Sequence, residues 1–416
     1  MKQSIFTGFS PNLEWDDAFL AWRLIFQPWR WRKGEAVKAL ENQFAHDFKM
    51  PHAVAFESGR TSLASLLQTS ALSLGDEVLL QAYTCVAVPN AVLWAGFKPV
   101  YIDCEKETLT MSPGDLEKKI TPRTKAVIIQ YTFGQIGKLE ELIAIAREYK
   151  LIIIEDSAHV IHGGHNNQLL GTWGDASFIS FGRDKALSGV FGGLALLRDD
   201  GWAKRLREKQ KGYPLPDRGW VLKQLLHPVI TLKVKLLYDV GGFGKLLFCI
   251  VRKLSLISKS VEPEERYGQK PEFIFHRMPN ALALLILRQY EKIGRFNIHR
   301  KKVAAFYAEA LKQYENCGLP PPDDSVNYLR FPLRVENPKE LIRLARVEKI
   351  YLGDWYQDAI APQGVNYEAI QYQRESCPVA EEVAKASVNL PTDIHISFGS
   401  AGRVIHVVES YLESIQ

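Results

Sequence analysis

Lys185 stands in SFGRDKALSGVFGGLALL, residues 180–197, after an apolar run and before the pair Gly192-Gly193. A lone lysine is ordinarily a surface charge. This one has a small polar residue, Ser180, five positions before it, at what reads as a strand end. The glycine pair permits close backbone approach. A lysine held in such a cleft can form an imine with an aldehyde cofactor. Asp156 ends the run LIIIED and opens DSAHVIHGG. One reading is a helix cap after a strand. The other is a buried carboxylate that keeps a pyridinium nitrogen protonated, so that the ring accepts electrons from a carbanion. His159 follows three residues later, within reach of the same pocket. Ser58-Gly59-Arg60-Thr61-Ser62 precedes a helical stretch. Its free backbone N–H groups and the helix dipole form a plausible phosphate cradle, although Ser and Thr there are more often plain caps.

These residues need elements to hold them. Within 51–200 the pattern alternates strand and helix. Strands are expected at 77–80, 98–103, 126–131, 151–155, 176–181 and 193–197, with helices after Gly59, over 86–96 and over 139–149. Repeated strand–helix–strand units imply a largely parallel sheet with helices on both faces, where ligands gather at the carboxyl ends of the strands. From Met278 onward helix dominates, and residues 318–416 read as a smaller α/β layer.

Length and composition set the outer limits. The chain has 416 residues, 46% hydrophobic and 24% charged, which excludes wholesale disorder and points to two or three domains. Cys85, Cys104, Cys249, Cys317 and Cys377 are odd in number, scattered and without a CxxC pair. That argues against a zinc module or disulfide framework and favours a reducing compartment, with no metal site expected. The first residues lack the apolar core of a signal peptide, and no apolar run is long enough to span a bilayer. A net charge of +5 is too small to indicate nucleic-acid binding.

In order and spacing, the segments resemble the DegT/DnrJ/EryC1/StrS aminotransferases, sugar aminotransferases among the fold-type I pyridoxal-phosphate enzymes. The resemblance runs from about Gly34 to the C-terminus. It includes KGEAVKALENQFA, ESGRTSL, GDEVLLQAYTCVAVPNAVLWAGFKPVYID, TKAVIIQYTFGQIGKLEEL, IIIEDSAHVIHGG, LLGTWGDASFISFGRDKALSGVFGGLALL, RMPNALALLIL and CPVAEEVAKASVNLPT. It implies an α/β fold. A large cofactor-binding domain over 1–270 has a mostly parallel seven-stranded sheet and carries 213–270 as an insertion. A smaller C-terminal α/β domain covers 271–416.

The resemblance also implies roles. Lys185 is the lysine that carries pyridoxal 5'-phosphate and then moves a proton. Asp156 partners the pyridine nitrogen. Gly59, Arg60, Thr61 and Ser180 surround the phosphate, and His159 stands where relatives often have Gln beside the ring. An amino acid, taken as glutamate, gives its amino group to a keto-sugar, usually nucleotide-linked, for a polysaccharide, glycolipid or glycosylated metabolite. The enzyme is expected to be a homodimer with shared active sites, working in the cytoplasm. Two positions depart from the family pattern. Cys85 replaces an aromatic residue that stacks on the cofactor, with Tyr83 a possible substitute ring. FHRMP replaces a segment like NYRMS, leaving Arg277 as the candidate phosphate contact across the subunit boundary. Arg330, Arg334, Trp355 and Tyr356 are candidates for the substrate side, ordinary packing being the simpler reading for each. Retention of Lys185 disfavours a dehydrating relative, whereas the two departures leave open a non-catalytic scaffold.

Residues 219–260 hold seven basic residues (Lys223, Lys233, Lys235, Lys245, Arg252, Lys253, Lys259) and one acid, Asp239. Without them the chain carries 45 basic and 46 acidic residues, so the whole excess is local. Apolar residues interleaved with lysines suggest an interfacial helix pair at the inner membrane face, an arrangement that would suit a lipid-linked acceptor. Trp29 and Trp31 beside Arg30 and Arg32 suit the same boundary. The alternative is an enlarged subunit interface or a lid buried against the sheet.

Overall fold

The computed structural model describes residues 3–254, 256–323 and 325–415. Its centre is a sheet of β1 (His52–Phe56), β2 (Glu77–Gln81), β3 (Lys98–Ile102), β4 (Thr124–Gln130), β5 (Ile152–Asp156), β6 (Ala176–Ser180) and β7 (Gly193–Leu197). The order across the sheet is 3-2-4-5-6-7-1, and only β7 runs antiparallel to its neighbours. Six of these strands follow from the apolar runs. The seventh, β1, is five residues long and pairs with β7 along its whole length.

Helices cover both faces, which is why strands such as AVII and III are apolar without alternation. In chain order they are α1 (Trp15–Ile25), α2 (Ala36–Asp47), α3 (Gly59–Thr69), α4 (Ala87–Ala95), α5 (Pro113–Lys119), α6 (Leu139–Glu148), α7 (Asp200–Lys211), α8 (Arg218–Leu237), α9 (Phe243–Lys253), α10 (Asn280–Tyr290), α11 (Ile293–Leu311), α12 (Pro338–Val347), α13 (Pro378–Ala386) and α14 (Phe398–Ser414). Ala126, Ile128 and Ile154 face α3, α4 and α7, whereas Val127, Ile129 and Ile153 face α6, α11 and α14. Each fully buried side chain of this kind contributes about 1.5–3 kcal/mol. A third cluster joins the β1, β6 and β7 end of the sheet to α1, α2, α8 and α10. Beyond α11, β8 (Phe331–Arg334) pairs antiparallel with β9 (Ser387–Leu390) against α12 and α14, forming the smaller layer.

The described residues of 213–270 form a helical hairpin followed by a return segment. Asp217 caps α8 by accepting a hydrogen bond from the Trp220 N–H at 2.9 Å. Val221 and Leu225 of α8 are buried with Phe191 and Leu194 of the sheet end. α9 then folds back on α8.

Candidate active site

The parallel strands place their carboxyl ends around a cavity of about 430 Å³. β5 delivers Asp156, β6 delivers Ser180, and the loop 181–192 delivers Lys185 before the chain returns as β7. That loop closes on itself: the Phe181 N–H donates to Gly192 O at 2.9 Å and the Gly189 N–H to Phe181 O at 3.0 Å. Its exit requires glycine. Gly192 has φ +143, and a Cβ on Gly193 would lie 2.2 Å from Ser58 O. The Lys185 backbone is held from far along the chain. Asn12 Nδ2 donates to Lys185 O at 2.9 Å and to Ala186 O at 3.0 Å, and Arg300 Nη2 donates to Ala186 O at 2.8 Å.

Lys185 Nζ lies 5.5 Å from the Trp355 ring centroid and, among the described residues, forms no ion pair. Burial lowers its pKa, partly offset by Cys85 and Asp156. More of the amine is therefore unprotonated and able to act as a base. Asp156 is buried, and its Oδ1 accepts from the Ala158 N–H at 2.9 Å. Burial pushes its carboxyl up to about 6, against the opposing pull of that hydrogen bond and of Lys185. His159 is buried and held neutral, first by burial and then by the charges of Lys185 and Arg330. Its Nδ1 accepts from the Phe133 N–H at 3.0 Å. The ring proton therefore sits on Nε2, which lies 3.3 Å from Tyr356 Oη. The His159 ring stacks at 5.7 Å from Phe133 and 6.0 Å from Trp355.

The N-terminus of α3 forms the floor. Ser58 Oγ caps it by accepting from the Thr61 N–H at 3.2 Å. A Cβ on Gly59 would lie 3.0 Å from Ser180 Cβ, so glycine leaves open the space between helix end and strand end. The amides there and the Ser180 hydroxyl suit a phosphate. Beneath the cap lies Glu57, which the sequence does not single out. It is fully buried and its carboxyl is pushed up to about 8 by burial. It accepts from Ser58 Oγ at 3.0 Å, from the His276 N–H at 3.1 Å and from the Thr61 hydroxyl.

Of the ten residues given a catalytic or cofactor-binding role, seven line the cavity together: Gly59, Arg60, Cys85, Asp156, His159, Ser180 and Lys185. The side chain of Arg60 is paired with buried Glu265 and lies over the Phe191 and Phe273 rings at 5.8 and 5.4 Å. Three others lie outside the lining. Thr61 turns its hydroxyl to Glu57 and accepts from the Phe275 N–H at 3.0 Å. Tyr83 has φ +62, is fully buried and hydrogen-bonds Ser387 Oγ at 2.7 Å. Its ring meets Tyr356 edge-on at 5.4 Å, behind the cavity wall. The Arg277 N–H donates to Pro214 O at 2.9 Å, and its Nε is buried with no partner in this chain among the described residues.

Trp355 and Tyr356 line the cavity, as do Gln130, Arg183, Ser260, Val261 and Arg266. The Arg330 guanidinium lies 3.5 Å above the Trp355 ring, whereas Arg334 points to Glu107 O at 3.2 Å. Ser260 and Val261 bring the end of the 213–270 segment to the mouth of the site. Trp31, unlike exposed Trp29, is buried, and its Nε1 donates to Leu24 O at 2.6 Å, which removes it from any membrane boundary.

The lysine, the carboxylate and the helix N-terminus on one cavity at the strand ends match a pyridoxal-phosphate site in donor set. GDP-perosamine synthase of Escherichia coli O157:H7 is 29% identical over 397 residues, covering 92% of each chain. The aminotransferase TlmJ of Streptoalloteichus hindustanus shares the fold with a TM-score of 0.76 at 22% identity, covering 99% of this chain and 100% of that one. NtdA of Bacillus subtilis, solved with bound cofactor PMP, superposes with a TM-score of 0.76 at 18% identity, covering 99% and 86%. The sequence profile of the DegT/DnrJ/EryC1/StrS aminotransferase family matches residues 19–236 and 246–409, and the chain belongs to that family.

Proposed function

We propose that the protein is a pyridoxal-phosphate aminotransferase that moves an amino group from an amino acid, taken as glutamate, to a nucleotide-linked keto-sugar. The product serves a polysaccharide, a glycolipid or a glycosylated metabolite. The observation that carries this reading is that Lys185, with a lowered pKa, and Asp156, at a strand end, line one cavity with the α3 N-terminus. Similarity to GDP-perosamine synthase across 92% of both chains supports a nucleotide-linked sugar as acceptor.

When bound, pyridoxal phosphate supplies an aldehyde and an electron-accepting ring. Asp156 holds the proton on the ring nitrogen. Lys185 Nζ is the amine that would hold the aldehyde, and its lowered pKa suits it to move the proton at the substrate carbon. His159, its Nε2–H fixed by the Phe133 amide at Nδ1, would pack beside the ring and offer that proton as a donor. The amides of Gly59 and Arg60 with the Ser180 hydroxyl would hold the phosphate. Trp355 and Tyr356 close the cavity on the substrate side and limit water. The active unit is a homodimer, and half-buried Arg277 is the residue that would contact the neighbouring subunit's phosphate.

Full-length protein given pyridoxal phosphate and then glutamate tests this reading. A visible absorbance that appears with the cofactor and bleaches with glutamate is expected. A protein that binds no cofactor overturns the enzyme reading and favours a scaffold of the same fold.

A further inference from the structure

The α8–α9 hairpin is anchored on one side and open on the other. α9 approaches α8 through Gly244, where a Cβ would lie 2.5 Å from Val234 O, and through Val251, which is buried. An adjacent side of α9 presents Phe243, Leu246, Ile250 and Leu254, spaced three and four residues apart and so on one face. Phe243, Leu246 and Leu254 are 63%, 59% and 61% exposed. Leu237 and Val240 continue the apolar surface around the turn. No side chain of the described residues covers this stripe.

Charge decides what does. Lys233, Lys245, Arg252, Lys253 and Lys259 are exposed on the same hairpin and its return segment. Asp239, the one acid of residues 219–260, is occupied: it accepts from Ser4 N and Oγ at 2.7 and 2.8 Å and from Lys349 Nζ at 3.2 Å. Lys235 is turned inward, donating to Ser10 O at 3.0 Å. A second copy meeting this stripe through a two-fold axis would set the same cations against one another, and Asp239, the acid nearest them in sequence, is already paired. An anionic phospholipid surface supplies both what the apolar stripe and what the flanking cations require. No helix among the described residues is long and apolar enough to cross a membrane, so the contact lies in the interfacial plane.

The geometry points to the hairpin's open face, centred on Phe243, Leu246, Ile250 and Leu254, as a docking surface for an anionic phospholipid bilayer. None of these four residues lines the Lys185 cavity, so docking and catalysis are separable.

The test is flotation of the full-length protein with two vesicle types: phosphatidylcholine alone, and phosphatidylcholine mixed with phosphatidylglycerol. Transamination and oligomeric state are measured on the same samples. The native protein floats with the anionic vesicles, less so as salt rises, and stays behind with the neutral ones. Phe243→Ser with Leu246→Ser, and separately Lys245→Glu with Arg252→Glu and Lys253→Glu, each lower the bound fraction about tenfold or more. Both variants keep native activity. Native protein that fails to float, or variants that float equally, overturns the proposal. So does a serine variant that dissociates the native oligomer, which would assign the stripe to a subunit contact. Loss of cofactor binding in the native protein would contradict the aminotransferase reading and leave the flotation result standing.

Discussion

The Lys185 cavity and the α8–α9 hairpin treat charge in opposite ways. In the cavity, ionisable groups are withdrawn from water and altered by it: Asp156 is pushed up to about 6, Lys185 is lowered and His159 is held neutral. On the hairpin, the cations stay in solvent and the apolar side chains are the ones out of place. Desolvated groups change protonation state and can move protons. Solvated groups keep a fixed charge and can only attract. We propose that the first region reacts and the second adheres.

Substitutions should separate the two regions, and the largest effects belong to the cavity. Lys185→Ala is expected to lower transamination roughly 10³-fold or more, since both proton movement and covalent attachment are lost. Single-turnover kinetics with the amino donor reads this. Asp156→Asn should cost roughly 10²–10³-fold in rate, because an amide places no negative charge at the ring nitrogen. In the native protein, cofactor affinity should hold above pH 6 and fall below it as the Asp156 carboxylate takes up a proton. An affinity that is flat from pH 5 to 8 would deny Asp156 that role.

Stability measurements sharpen the contrast. Leu80, fully buried between β2 and the helices on its face, should cost about 2–5 kcal/mol on truncation to alanine. Leu246→Ser on the hairpin should stay within about 0.5 kcal/mol in the absence of lipid. Glu57 lies between these. Its folded pKa of about 8 exceeds the ordinary 4.5. From 4.5 to 8 the folded state binds a proton that the unfolded chain has released, so stability falls as pH rises through that window. Glu57→Gln should flatten that slope in urea titrations, with the Thr61 and Ser58 hydroxyls turning to suit the amide.

How much of this was legible in the sequence follows from contact range. Lys185, Asp156 and the α3 cap were readable because each lies at a strand end or helix start marked by its own neighbours. β1 was not, because five residues between helices carry too little pattern; its place beside β7 is fixed by pairing about 140 residues away. Asn12 and Arg300, which hold the Lys185 loop, lie 173 and 114 residues from their partners. No local spacing signals such bonds. Tyr83 illustrates the reverse error. Its motif placed it beside the cofactor, but its left-handed backbone aims the ring behind the wall. Trp355 supplies the aromatic face over Lys185 instead. For the hairpin, composition gave the charge excess. Only the fold shows that Lys235 and Trp31 point inward while the α9 stripe faces out.

The central claim is that Lys185 is the lysine that holds the cofactor. Borohydride treatment of the protein with pyridoxal phosphate, followed by peptide mapping, tests it most directly. The account predicts a stable pyridoxyl group on the peptide containing Lys185, absent from Lys185→Ala. A label on another lysine, or equal labelling of the Lys185→Ala variant, would contradict it.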